Sequence, residues 1–213
     1  MTDQPSGGRG ILRNPFIWYF FVGVIVLTLM RPLLRREPQP PPVIGQLPHY
    51  SLVDTSGRSF GSEELAGQVY VTSFIFTRCT SICPLLSRAM ASLQQRYDDE
   101  GVEGIRLVSI TIDPEYDTPE RLAEYAAAHR ADPRRWTFLT GEEDQIVDLV
   151  EKGFKTAVGQ PEMAGDDLID IAHSGHLVIV DGQGGIRGYY GSDEQGLDEV
   201  FHRSQHVLKQ QRR

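Results

Sequence analysis

VYVTSFIFTRCTSICP, residues 69–84, contains the only two cysteines of the chain, Cys79 and Cys83, where an apolar run stops and a helical pattern starts. Residues 69–76 are rich in β-branched and aromatic side chains, which suits a strand buried on both faces. From Cys83 to about residue 97 the apolar positions Leu86, Met90 and Leu93 recur at helical spacing. Pro84 suits the first helical turn, where its missing N–H has no partner to lose. On one continuous helix the two cysteines would stack on a single face. The strand-to-helix junction predicts instead that Cys79 lies in the loop and Cys83 in the first turn. A helix N-terminus stabilises anions, and Arg78 brings a positive charge, so thiolate should form easily there. Thiolate is the species that binds soft metals and attacks disulfides. The plainer alternative is a pair of buried structural cysteines.

On either side of this stretch, strand and helix patterns alternate. Strands are expected at 50–54, 69–76, 105–112 and 136–139, with a hairpin of 177–181 and 186–190 around Gly182-Gln-Gly-Gly185. Helices are expected at 83–97, 119–129, 142–154 and 194–209, and a short helical turn at 62–65. Thr118 followed by Pro119 reads as an N-cap and first helical residue. Residues 156–171 read as an irregular acidic loop. This order predicts an α/β fold, a mixed central sheet flanked by helices in a thioredoxin-like arrangement, over residues 45–213.

The N-terminus reads differently. Residues 1–14 are a polar tail, and 15–34 are apolar apart from Arg31. That is the length of a transmembrane helix if Arg31 snorkels to the interface, with Trp18 and Tyr19 in an aromatic belt. No small-residue cleavage site follows, so an uncleaved single-pass anchor is expected. Residues 35–44, with Glu37-Pro-Gln-Pro-Pro-Pro42, read as a Pro-rich stalk. The chain has 213 residues with 21 Lys+Arg, 29 Asp+Glu and net charge −8. Residues 1–42 carry five Arg against Asp3 and Glu37, leaving 16 basic and 27 acidic residues beyond them. A domain of charge −11 without a basic stripe is a poor fit to nucleic acid. Arg9 and Arg13 precede the apolar span and Arg31, Arg35 and Arg36 follow it, a slight bias toward a cytoplasmic C-terminal domain.

Two sulfurs are too few for a closed zinc site, whereas a third ligand such as imidazole would suit copper, above all Cu(I). His173, in IAHSGHLVIVD at 171–181, stands at the mouth of a strand and is the favoured third ligand; His176 competes with it. On one strand, residues three apart face opposite sides. His202 and His206 are four apart on the last helix with no third ligand apparent, and Met163 is at most a transient soft ligand. No Ser/His/Asp triad or paired-carboxylate motif can be argued from spacing.

FTRCTSICP after an apolar strand, SITIDPEYDTPERL at 109–122 and AHSGHLVIVD at 172–181 together resemble the Sco (SenC-type) copper-chaperone family over roughly residues 45–207. The resemblance implies a thioredoxin-like fold and one copper, Cu(I) or Cu(II), bound by Cys79, Cys83 and His173. It implies a partner, the copper-A subunit of cytochrome c oxidase or another copper acceptor. It also implies an inner-membrane protein whose domain faces the periplasm or outer side, against the arginine bias. Asp113 and Asp117 match the family's acidic motif and are expected in turns, Asp113 at a strand end. The chain departs from the family at Ser81 and Ala172, where acidic residues are common. The alternative function is a thiol-disulfide oxidoreductase in which Cys79 and Cys83 are the attacking and resolving groups. Thioredoxin-type reductases, however, separate their cysteines by two residues and set a proline where this chain has Ala172-His173-Ser174.

Overall fold

The structure is a computed structural model that describes residues 15–34, 39–155 and 175–213. The chain divides into two units, residues 1–39 and 40–213. In the first, helix α1 spans Pro15–Leu34, with Arg31 in its last turn. Its apolar side chains, among them Phe16, Phe20, Leu27 and Leu29, are exposed. Side chains are described as far as Arg31. Among the described residues no helix is long and apolar enough to cross a membrane. Pro15 to Arg31 reaches about 25 Å at ~1.5 Å per residue, short of a hydrocarbon core of ~30 Å.

The second unit is built on one sheet. Its strands are β1 (Gly45–Gln46), β2 (Ser51–Asp54), β3 (Ser59–Gly61), β4 (Val69–Ile75), β5 (Ile105–Thr111), β6 (Trp136–Thr140), β7 (Leu177–Val180) and β8 (Gly185–Tyr190). They lie in the order β1-β8-β7-β4-β5-β6-β2-β3. β4, β5 and β6 are parallel, while β7 runs antiparallel to β4 with Thr72 opposite Val178. The carboxyl ends of β4 and β5 and the start of β7 therefore share one edge.

Burial on both faces explains why β4 is mostly apolar, with Thr72 and Ser73 its polar residues. Val69, Val71 and Ile75 face helix α2 (Cys83–Asp99) and helix α5 (Glu194–Gln211), meeting Leu86, Met90, Leu93, Val200 and Phe201. Tyr70 and Phe74 face the opposite layer, with Ile146, Leu149, Val150 and Phe154. The one polar residue on the first face, Ser73, bonds Ser109 at 2.8 Å, and Trp136 Nε1 donates to Ser109 at 2.9 Å, so these buried groups are satisfied.

Helix α3 (Pro119–Ala128) starts as expected: Thr118 is extended and its hydroxyl accepts from Arg121 N. The helix expected over 142–154 is helix α4 (Glu143–Asp148) continued by a π-helical turn, Leu149–Gly153. The wider turn buries Leu149, Val150 and Phe154 together, and Phe154 meets Phe74 edge-on at 5.0 Å. β1 and β3 were not expected, being too short to show a period. β3 arises because Gly57, at φ +76°, closes the turn after β2. The expected acidic loop at 156–171 lies outside the described residues.

Candidate metal centre

β4 ends at Ile75 and the chain turns at once. Cys79 N–H donates to Phe76 O at 3.1 Å, closing a four-residue turn with Thr77 and Arg78 at its centre. Both central residues are gripped by the acidic segment after β5. Asp117, fully buried, accepts from Thr77 N–H at 3.0 Å and from the Thr77 hydroxyl. Asp113 takes Arg78 as a bidentate pair, with Nε at 2.5 Å and Nη2 at 3.1 Å. Asp113 follows β5 and Asp117 immediately precedes the Thr118 cap, both as read from the sequence.

Cys83 is the first residue of α2 and is buried, while Cys79 is half-buried in the loop; both are free thiols. The helix has no side-chain N-cap, because Ile82 stands at that position. Cys79 takes up part of that role: its Sγ accepts from Cys83 N–H at 3.4 Å. The Ser81 hydroxyl lies 3.6 Å from the same sulfur. Partial burial works against the Cys79 thiolate, but hydrogen bonds from Cys83 and Ser81 outweigh it and pull the thiol down to about 7. Cys83 goes the other way: burial pushes it up to about 12, the Phe76 N–H offsetting only part of this and Cys79 and Asp117 adding to it. The pair thus holds one ready nucleophile and one masked thiol.

Two sequence expectations change here. Arg78 does not explain the Cys79 thiolate, because its guanidinium is bound to Asp113; backbone and hydroxyl donors carry the effect. Ser81, noted only as a departure from the family, supplies one of those donors. Thr77 was missed altogether. No local pattern ties it to an aspartate forty residues away, and only the parallel pairing of β4 with β5 brings the two together.

His173 and Met163 lie outside the described residues. His176 is half-buried just before β7. Gly175, at φ +69°, sits against the helix start: a Cβ there would lie 3.1 Å from Ile82 Cδ1. His202 lies 3.5 Å from Asp198 on α5. Among the described residues no three His, Cys, Asp or Glu side chains are grouped to hold a metal, so the helical histidine pair forms no such site.

Residues 39–209 match the sequence profile of the SCO1/SenC family. The SCO1 protein homolog of Bacillus subtilis is 32% identical over 153 residues, covering 71% of this chain and 77% of that protein. The solved structure of BsSco superposes with a TM-score of 0.69 at 28% identity, covering 82% of this chain and 99% of that one. BsSco is described as carrying a disulfide switch and as a member of the Sco family of cytochrome c oxidase assembly proteins. Bradyrhizobium japonicum ScoI, solved with copper bound, shares the fold, with a TM-score of 0.61 at 18% identity over 76% of this chain and 99% of that one. With its mixed thioredoxin-like sheet and its paired cysteines at the head of α2, the chain belongs to the SCO1/SenC family.

Proposed function

We propose that this protein is a membrane-anchored copper chaperone. One copper ion, its cargo, is held by Cys79, Cys83 and His173 and is passed on for assembly of the copper-A centre of cytochrome c oxidase. The observation that carries the reading is the dithiol itself. Two free sulfurs sit at a helix N-terminus, one of them thiolate near neutral pH, and thiolates are the donors that soft Cu(I) prefers.

His173 is supported by topology. It lies two residues before Gly175, which packs on Ile82 between the cysteines, and β7 starts at the edge where β4 releases the Cys79 turn. Anchoring is supported by α1, whose helix continues through Leu34. At 20 residues and ~1.5 Å per residue it reaches about 30 Å, one hydrocarbon thickness. Copper-A sites face outward, so the domain is assigned to the periplasmic or outer side.

The asymmetric thiols favour one second reading, a thiol-disulfide oxidoreductase that keeps a partner's cysteines reduced, with Cys79 attacking and Cys83 resolving. A His173→Ala variant separates the two. Loss of tight copper with dithiol exchange intact supports the chaperone. Undiminished copper affinity removes His173 from the site.

A further inference from the structure

We propose that Asp117, acting through Thr77, is the positioning residue that sets Cys79 against Cys83; the inference rests on the reading of both cysteines as copper ligands. Thr77 occupies the turn Phe76–Cys79, and its N–H and hydroxyl both donate to the Asp117 carboxylate. That carboxylate has no solvent exposure. It is fixed from a second side by the Thr111 hydroxyl, which donates at 2.5 Å, and Thr111 in turn accepts from Asp113 N at 3.0 Å. Asp117 N–H is bonded to Asp113 O at 2.9 Å, and the next residue caps α3. One buried group thereby joins the ends of β4 and β5 and the start of α3.

A carboxylate in an apolar setting persists only while its oxygens stay hydrogen-bonded, so the geometry around it is over-determined. The Arg78–Asp113 pair grips the same turn from outside, but Arg78 is largely exposed and water and salt weaken it. Asp117 is therefore the rigid half of the grip. Its consequence lies two residues on: with Thr77 fixed, Cys79 Sγ is held 3.4 Å from Cys83 N, which sets the loop thiol against the first turn of α2.

The test uses the full chain, reduced, with three variants. Thr77→Val removes the hydroxyl donor, Asp117→Asn removes the charge, and Thr77→Ser restores the donor. Amide hydrogen exchange of the metal-free protein should run about tenfold faster at Cys79 and Cys83 in the first two variants, with the β5 amides unchanged and the serine variant like wild type. Copper(I) affinity, measured by competition with a chromogenic chelator, should fall about 10–100-fold in the same two variants and be retained in Thr77→Ser. Unchanged exchange at the cysteines, an acceleration spread evenly over the domain, or unchanged copper affinity in both disrupting variants would overturn the assignment. If the wild-type protein held no tight copper, the chaperone reading would fall, and the exchange measurement would still decide whether Asp117 holds Cys79.

Discussion

Asp117 and Asp181 are both buried aspartates, one at each end of the central strands, and they are satisfied by different chemistry. Asp181 accepts from Gln183 N–H at 2.9 Å and Gly185 N–H at 2.8 Å, and pairs with Arg187 at 2.7 Å. Arg187 also bonds Pro41 O and Gln210 Oε1, so the cluster ties the β7–β8 hairpin to the start of the domain and to α5. Its charge is cancelled where it stands. Asp117 is held by the neutral hydroxyls of Thr77 and Thr111 and by one backbone N–H. Its field reaches the Cys83 sulfur, where it adds to the effect of burial. A buried charge neutralised by its own partner serves the fold, whereas one held by neutral donors beside a dithiol serves the site.

Substitution should separate the two roles. Asp181→Ala leaves the largely buried Arg187 without its counter-charge, with only Pro41 O and Gln210 Oε1 as partners, and should cost about 3–5 kcal/mol, a fall in Tm of roughly 6–20 °C by calorimetry. Cys79 alkylation at 25 °C should not change. Asp117→Asn keeps most of the hydrogen-bonding shape and should cost less, about 1–3 kcal/mol, while Cys79 reactivity changes. If the two variants gave the same pattern, the contrast would collapse.

Acidity sharpens the contrast within the site. In the reduced, metal-free protein the rate of iodoacetamide alkylation should follow a single midpoint at about 7, from Cys79, and fall tenfold per pH unit below it. Cys83, pushed up to about 12, should stay unlabelled through neutral pH, as read by peptide mass spectrometry. The linked stabilities have opposite signs. Cys79 lies below the ordinary thiol value of ~8.5, so its contribution is full above that value and is lost as pH falls through about 7. Cys83 lies above it, so its contribution is full below ~8.5 and is lost as pH rises toward about 12. Stability from the pair should rise from pH 7 to about 8.5 and decline beyond it. The smallest effect belongs to Arg78→Ala. Its exposed pair with Asp113 should move Tm least of all, and less still at high salt, since screening removes most of such an interaction.

Much of this is legible in the sequence. The change of period at Cys83, the Thr118-Pro119 cap and the Gly182–Gly185 hairpin are local signals, and each element formed where its local chemistry placed it. Cys79 and Cys83 were readable as a loop thiol and a first-turn thiol for the same reason. What was hidden depends on pairing across the chain. Thr77 and Asp117 meet only because β4 and β5 run parallel in register, and the same pairing brings Asp113 to Arg78, which takes that charge away from Cys79. The short strands β1 and β3 owe their existence to neighbours and not to their own sequences. The π-helical turn after Asp148 follows from what must be buried against Phe74, which no helical period announces.

We propose that Cys79, Cys83 and His173 together hold one copper. The direct measurement is copper stoichiometry and affinity on the reduced full-length chain beside Cys79→Ala, Cys83→Ala and His173→Ala. One tightly bound copper is expected, weakened more than about 100-fold in each variant, beyond what even a group adjoining a metal ligand costs. No tight copper in the wild-type protein, with the dithiol still exchanging with a protein disulfide, would contradict it and leave the oxidoreductase standing.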